Sequence, residues 1–234
     1  MRFPTLTFLL ALCCGLTSGC SEGISRRTAA TVLSVKGEVV FRMAKQNDFE
    51  PVTGGSPIHN GSIVRTSDGA LLDLGLIAPA LAQISSNSEI RIEELRISKD
   101  GDQTRGGMRS RSARIQLSRG KITVLFSPRD KGISQFAIGT SAVTVTVDSP
   151  CLFRVQKDDG AIRVTCVQGK VHVATEGQPP MTIEPGYFQQ WPLTGSEPVA
   201  ATADVAPQIA IIDSLEIESE LRRLEADWRE RHPF

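Results

Sequence analysis

Residues 115–126 read IQLSRGKITVLF, and this segment shows most clearly the pattern that predicts the fold. Apolar and polar side chains alternate up to Arg119, the chain reaches Gly120, and a second alternating run follows. Alternation with a period of two is typical of a β-strand that has one buried face. Glycine adopts backbone conformations that other residues reach only at a cost, so it marks a bend. The stretch therefore predicts two consecutive strands joined at a sharp bend.

The same pattern occurs twice more in the chain. Residues 32–41 read VLSVKGEVVF, and residues 164–173 read VTCVQGKVHV. Ala142 to Val147 alternates in the same way, and Ser67-Asp68-Gly69 predicts a hairpin turn. We therefore expect an all-β domain over residues 30–193, built from short antiparallel strands and hairpins as a sandwich or a solenoid-like stack. The recurring bend suggests a repeated structural unit.

The last forty residues have a different composition. Residues 194–208 are rich in Ala, Pro and Thr and predict a linker, and residues 209–231 have helical spacing with Asp213 or Ser214 as the cap. One apolar stripe follows the helix at spacings of four, three and four: Ile217, Leu221, Leu224 and Trp228. This stripe can dock on the β domain, or it can form an interface with a partner helix or a second copy.

The N-terminal residues predict export. Arg2 precedes an apolar run that is too short to cross a bilayer, so residues 1–19 have the form of a signal peptide. Thr17 to Cys20 resembles a bacterial lipobox, in which the cysteine is acylated, and residues 20–29 then form a tether. We expect a lipid-anchored protein of the periplasm or outer membrane. The alternative is cleavage without acylation, which gives a soluble periplasmic protein.

Two further cysteines lie on strands that flank a turn. If Lys157 is opposite Gly160, then Cys151 lies directly opposite Cys166 and a disulfide is possible. If Asp158 is opposite Ala161, the two cysteines lie on a diagonal, and a bridge would distort the strands. The sequence leaves both registers open.

Composition and motifs argue against several classes of function. The 26 basic and 26 acidic residues cancel, so no overall basic field exists to hold nucleic acid. The three histidines have no metal-ligand spacing, and no nucleophile elbow is present. We therefore expect no catalytic residues, no metal and no cofactor, and we expect the protein not to be an enzyme.

Two segments are candidates for a binding surface. Residues 99–112 predict a loop in which Arg105, Arg109 and Arg111 can meet phosphate or acidic lipid, although a solvated insertion explains them as well. Tyr187 and Trp191 can bind sugars or proteins through their rings, or they can close one end of the core. A carbohydrate-binding or hydrolytic protein is the corresponding alternative.

The order of several short motifs resembles the FecR domain, which is named after the ferric citrate uptake regulator. The motifs are Pro57-x-x-x-Gly61 with Ile63 and Thr66, Ile115-x-Leu117-x-x-Gly120, Phe136-x-Ile138, Phe153-x-Val155, Val167-x-Gly169-x-Val171, and Ile183-x-Pro185-Gly186. The resemblance extends over residues 30–193. Ser149-Pro150 departs from the pattern, because the family usually has Gly-Thr before the Phe-x-Val motif.

The resemblance implies an extracytoplasmic, β-rich domain for sensing or interaction. In the best-known members, this domain follows one transmembrane helix and a cytoplasmic segment that controls a sigma factor. We expect a lipoprotein form without that segment, whose partner is another envelope protein or a polysaccharide. The alternative is a structural lipoprotein that self-associates through its C-terminal helix.

Acylation of Cys20 has a direct test. The mature protein should begin at Cys20, exceed the mass of its polypeptide by the acyl chains, and sediment with membranes, because several acyl chains bind a bilayer stably. The Cys20→Ala variant should lose both the added mass and the sedimentation. A soluble wild-type chain of unmodified mass would contradict the expectation.

Overall fold

The computed structural model describes residues 24–77, 80–99, 108–128, 133–193 and 195–232. For Ile24, Met108 and Arg109 it describes the backbone only. The expected signal peptide and Cys20 lie outside these residues.

The described residues form seventeen strands, one 3₁₀ turn and one α-helix, which confirms the all-β fold with a C-terminal helix. The strands are β1 (Ile24–Arg27), β2 (Thr31–Lys36), β3 (Val39–Arg42), β4 (Glu50–Pro51), β5 (Ile63–Thr66), β6 (Leu71–Gly75), β7 (Ala80–Ile84), β8 (Glu89–Lys99), β9 (Met108–Phe126), β10 (Ile133–Gly139), β11 (Val143–Val147), β12 (Cys151–Asp158), β13 (Ala161–Gln168), β14 (Val171–Thr175), β15 (Met181–Ile183), β16 (Tyr187–Trp191) and β17 (Val199–Ala200). The 3₁₀ turn spans Ala201–Ala203, and α1 spans Val205–Arg231.

Strand pairing divides the domain into two sheets that share β9. The back sheet has the order β2-β6-β7-β9-β12-β13-β16-β17, and all its neighbours are antiparallel. The front sheet has the order β4-β3-β5-β8-β9-β10-β11-β14-β15, in which only β9 and β10 are parallel. The strand β1 pairs with the far end of β8, on the same edge as β5.

Two hydrophobic clusters follow from the alternation along these strands. The larger cluster joins inward residues of both sheets, such as Leu72 and Val164 of the back sheet and Ile92 and Val145 of the front sheet. The smaller cluster consists of Leu81, Leu125, Leu152 and Val167, which lie on the other face of the back sheet, together with Leu221 of α1. The molecule therefore has three layers, in the order front sheet, back sheet, helix.

The three glycine segments mark the places where a strand passes from the back sheet to the front sheet or the reverse. Gly37 lies between β2 and β3, Gly169 lies between β13 and β14, and Gly120 lies inside β9. All three have positive φ angles, of 73°, 75° and 88° respectively. The predicted repeated unit is thus a corner between the sheets, and glycine is required there because L side chains strain at positive φ.

Each corner also packs closely against another corner of the chain. A Cβ on Gly120 would lie 2.5 Å from the Cα of Ser88, and one on Gly169 would lie 2.9 Å from the Cα of Cys151. The clash would involve backbone, which cannot rotate away as a flexible side chain can. The hairpin expected at Gly69 is also a corner between the sheets. The strands on either side of it do not pair, because β5 belongs to the front sheet and β6 to the back sheet.

Several expected boundaries were wrong. The helix begins at Val205 rather than at residue 209, because the side chain of Asp204 accepts a hydrogen bond from the backbone N–H of Ala206. Residues 194–208, expected as a linker, contain β17 and the 3₁₀ turn. Within the expected tether, residues 24–27 form β1, because they pair with β8.

The expected loop at residues 99–112 is shorter in the structure. The strand β8 continues to Lys99 and β9 begins at Met108, since the two strands pair along this whole length. Arg105 lies outside the described residues, and Arg109 and Arg111 belong to β9.

The structure selects one of the two registers for the cysteine strands. Asp158 is opposite Ala161, and Cys166 is opposite Phe153. Cys151 pairs instead with Phe126 of β9, and the register between β12 and β13 shifts between Phe153 and Leu152. Both thiols are free, as the diagonal register implies.

Gly169→Ala should lower the free energy of unfolding by about 2–4 kcal/mol, because it adds both positive-φ strain and a backbone clash. Gly54→Ala is the matched control, since its Cβ would meet no atom within 4 Å and its φ is ordinary. Urea unfolding of both variants measures the difference. Equal effects would contradict the corner as the reason for this glycine.

Candidate binding surface on the C-terminal helix

The outer face of the back sheet carries one apolar row that receives the helix. Leu81, Leu125 and Leu152 lie side by side on β7, β9 and β12. Leu221 is fully buried against them. This contact attaches the middle of α1 to the sheet, because burial of a leucine side chain stabilises by about 1.5–3 kcal/mol.

A polar row lies next to the apolar row on the same face. Strand pairing places Asp73, Gln83, Thr123, Arg154 and Thr165 in direct succession across five strands. All five side chains are buried. A buried polar group is costly unless it has hydrogen-bond partners, so this row constrains what can cover it.

Arg154 is the best-connected member of the polar row. Its Nε donates to Thr123 Oγ1 at 3.1 Å, and its Nη1 donates to Asp213 Oδ2 at 3.2 Å. The arginine side chain is only 7% exposed, whereas that of Asp213 is 48% exposed. The sheet therefore buries a cation whose carboxylate partner comes from α1, which fixes the position of the helix along its axis.

Asp73 is the first residue of the polar row. Gln83 Nε2 donates to Asp73 Oδ1 at 2.9 Å. Burial raises the pKa of the Asp73 carboxyl above its ordinary value of 3.8, and the hydrogen bond from Gln83 offsets part of this effect. Burial of the charged form therefore costs stability at neutral pH.

Two further contacts join the back sheet to the middle and the N-cap of α1. Gln168 Nε2 donates to Glu218 Oε2 at 3.1 Å, and Arg163 lies 3.9 Å from Asp204. Inside the helix, the ion pairs Glu218–Arg222 and Glu225–Arg229 form, at 2.7 and 2.6 Å. Exposed pairs of this kind contribute little individually, so the buried contacts determine where the helix lies.

The expected interface stripe is used by docking within the chain. Leu221 and Leu224 are buried, Ile217 packs on the smaller cluster, and Trp228 lines a cleft beside β2 and stacks on His232. Leu221 and Ile217 belong to the same cluster as the apolar row of the sheet. They are therefore not available to a partner helix or a second copy while α1 is docked.

The opposite side of the helix has a second apolar stripe, which the sequence reasoning missed. Val205, Ile209, Ile212 and Leu215 are 69%, 52%, 59% and 42% exposed. Their spacings of four, three and three place them together, and Ile212 lies half a turn away from Leu221. The apolar spacing of this stripe is present in the sequence. The helix was expected to begin at residue 209, however, and that start excluded Val205, the first residue of the stripe.

The surroundings of this exposed stripe are acidic. Between Val205 and Leu221 the chain has four carboxylates and no basic residue. Asp213 is paired with Arg154, whereas Glu216 is exposed on the same side as Ile209 and Ile212. We define the outer helix face as Val205, Ile209, Ile212, Leu215 and Glu216.

The two aromatic residues that were candidates for ligand binding differ in their exposure to solvent. Trp191 is 4% exposed and packs opposite Ile162 in the larger cluster, so its ring helps to close the core. Tyr187 is 41% exposed at the start of β16. The two rings do not form one exposed surface, so Trp191 follows the alternative in which it closes the core.

The front sheet has a polar groove of about 370 Å³ on its outer face. The small Ala137 lies between Arg114 and Thr146 in a row across the strands, and His172 follows next. The polar side chains that line the groove are Glu94, Ser112, Arg114, Gln135, Thr146, Asp148 and His172. The groove contains acidic and basic side chains together with hydroxyl and amide groups, and these groups can bind a polar ligand.

The described residues contain little that could support catalysis. Burial raises the pKa of the Cys166 thiol to about 12 and that of Cys151 still further, so neither is a ready nucleophile. Across the described ranges, no group of His, Cys, Asp or Glu side chains could hold a metal ion. Nor does any described helix have the length and apolar character needed to cross a membrane.

One family model matches the middle of the chain. Residues 62–172, from the start of β5 to β14, match the family model described as FecR protein. The chain contains a FecR-like domain. The matched residues include the glycine corners at Gly120 and Gly169 and all the residues that line the groove, whereas α1 lies outside them.

Two crystal structures of a proposed anti-sigma factor from Parabacteroides distasonis ATCC 8503, at 1.65 and 2.50 Å resolution, are similar to this chain. Both have a TM-score of 0.42, with sequence identities of 18% and 17%. Each alignment covers 58% of this chain and 57% of the other. No curated protein matches the chain.

Leu221→Ala should lower the free energy of unfolding by about 2–5 kcal/mol, because it leaves a cavity between α1 and the FecR domain. Leu215→Ala is the matched control on the same helix, and its cost should stay below about 1 kcal/mol because the side chain is largely exposed. Chemical denaturation compares the two. A similar cost for both would mean that α1 does not dock through Leu221.

Asp73→Asn should stabilise the protein at neutral pH and have a smaller effect in acid. The raised pKa means that the folded chain binds this proton more tightly, so the Asp73 contribution to stability declines as the pH rises from about 3.8 through the folded pKa. Asparagine keeps an oxygen acceptor for Gln83. Urea midpoints at acidic and neutral pH test this, and an equal change at both would contradict it.

Proposed function

We propose that the protein is a non-catalytic binding module of the bacterial envelope, exported and held at a membrane by lipid on Cys20. Its FecR domain acts as the rigid support for α1, and the outer helix face binds another envelope protein. The family resemblance supports a role in sensing or interaction, and the low reactivity of the two described thiols supports a non-catalytic role.

The exposed apolar stripe is the observation that carries this proposal. Monomeric domains rarely expose adjoining large apolar side chains, and such a patch usually marks a binding surface. The helix needs none of these residues for its own docking, because Leu221 and Leu224 serve that purpose. A solvent-facing helix side without a partner would be expected to be polar, as it is from Glu216 onward.

The outer helix face defines the chemistry of its partner. Side chains at positions i, i+4 and i+7, here Val205, Ile209 and Ile212, fit an apolar groove. Glu216 lies at the end of this stripe, and no basic residue precedes Arg222 on the helix. The partner should therefore offer an apolar groove with a basic group at its rim.

Self-assembly through the C-terminal helix is the alternative for the same surface. A second copy would have to provide the groove, and it would bring the same acidic residues to the contact. Like charges opposed across an interface cost affinity, so a different, basic partner is favoured.

A polysaccharide is the second candidate ligand, and the front-sheet groove is the observation in its favour. Its hydroxyl, amide and charged side chains provide donors and acceptors for sugar hydroxyls. The lining has no exposed aromatic ring for a sugar to stack on. We therefore rank the protein partner first.

Site-specific photocrosslinking in cells tests the protein partner. A photoreactive amino acid at Ile212 should give one discrete adduct, identified by mass spectrometry, whose crosslinked site lies in an apolar groove of an envelope protein. The matched control is Ser219, two turns later on the same side of α1, which should give none. Glu216→Lys should lower the yield at Ile212, and Glu230→Lys, farther along the helix, should not.

An adduct between two copies of the chain would favour self-assembly instead. Equal yields at Ile212 and Ser219, or insensitivity to Glu216→Lys, would contradict the outer helix face as the binding surface.

A further inference from the structure

One end of the front sheet is built from strand segments that contain only basic charges. We define the basic end as residues 24–27 of β1, 96–99 of β8 and 108–112 of β9, which pair side by side. These segments contain Arg26, Arg27, Arg96, Lys99, Arg109 and Arg111, and they contain no aspartate or glutamate. Since the whole chain has as many acidic as basic residues, this end reflects separation of charge rather than a basic composition.

Two cations of the basic end lie directly opposite each other. Arg27 on β1 pairs with Arg96 on β8, and both side chains are exposed. Like charges in this position destabilise a strand pair. Glu94 lies 3.4 Å from Arg96, but no ion pair within the described ranges involves Arg26, Arg27 or Lys99. The pairing of β1 therefore adds cations beside Arg96 that have no carboxylate partner among the described residues, an arrangement that an external anion would stabilise.

The same end is the point where the chain enters the domain. Ile24 pairs with Lys99, and only three residues separate Ile24 from Cys20. Four residue steps extend at most roughly 13 Å, so a lipid on Cys20 could not carry the domain far from the bilayer. The basic end would then be the end of the sheet nearest the membrane.

We propose that the basic end binds the phosphate groups of anionic membrane lipids and so orients the FecR domain on the bilayer. With β1 toward the membrane, the lipid and the arginines would act together, because one lipid anchor is strengthened by an adjacent basic patch. The inference rests on the export in the proposed function, but it requires neither acylation of Cys20 nor a partner on the outer helix face.

Only some of the cations of the basic end are available to bind lipid phosphate. Arg111 is half-buried and lines a cleft together with Glu225 and Trp228, so it is already engaged with the helix side. Residues 100–107 add two aspartates and one arginine by sequence and lie outside the described residues. The argument therefore depends on Arg26, Arg27, Arg96 and Lys99.

Vesicle sedimentation with the chain from residue 21 onward tests the proposal, because this chain contains every described residue and has no lipid of its own. It should bind vesicles of phosphatidylethanolamine and phosphatidylglycerol, and not phosphatidylcholine vesicles. Arg27→Glu with Arg96→Glu should weaken binding at least about tenfold, since each basic residue near an anionic surface contributes about a factor of five. Added salt should weaken wild-type binding as well.

The control variant is Lys45→Glu with Arg91→Glu, which makes the same charge change at exposed positions outside the basic end. It should retain vesicle binding, and both variants should keep the wild-type circular dichroism and urea midpoint within error. Equal loss in both variants, or no binding of the wild type to anionic vesicles, would overturn the proposal. Binding of the wild type to soluble dextran sulfate but not to vesicles would also overturn it. Neither result would bear on the photocrosslinking test at Ile212.

Discussion

The close approach of backbone at the glycine corners is the constraint on which the rest of the structure depends. At Gly120, one strand leaves the front sheet and enters the back sheet, and the turn at Ser88 packs where a side chain would otherwise be. Because β9 belongs to both sheets, this corner sets their relative placement and the space for the larger cluster. Gly37 and Gly169 form corners of the same kind, so both sheets close around one core.

The faces of the two sheets have different roles in the three-layered molecule. The inward faces of both sheets stabilise the fold, while the outer face of the back sheet holds α1 through a leucine row and a polar row. The ion pair between Arg154 and Asp213 makes this docking specific, because an alternative helix position would leave a buried cation without its carboxylate. A helix fixed in this way displays its other side in a constant orientation, which is what a binding module requires.

Charge is distributed in accordance with these tasks, although the chain as a whole is neutral. The first half of α1 is acidic, and the end of the front sheet at β1 is basic. Such separation has no effect on the core, which is apolar, but it determines which surfaces attract anions and which attract cations. The proposed orientation at a membrane and the proposed protein partner therefore use separate surfaces and can operate together.

The sequence by itself determined the fold class, the three bends, the presence of the helix and the family resemblance, because these depend on local periodicity and on glycine. It also identified Leu221 as part of an apolar stripe. Tertiary structure alone decided what that stripe contacts, the register that separates Cys151 from Cys166, the burial of Trp191, and the pairing of β1 with β8. Each of these depends on contacts between residues far apart in the chain, where register and burial are set by the packing of both partners. For the same reason, the exposed side of α1 became recognisable only once the helix was docked.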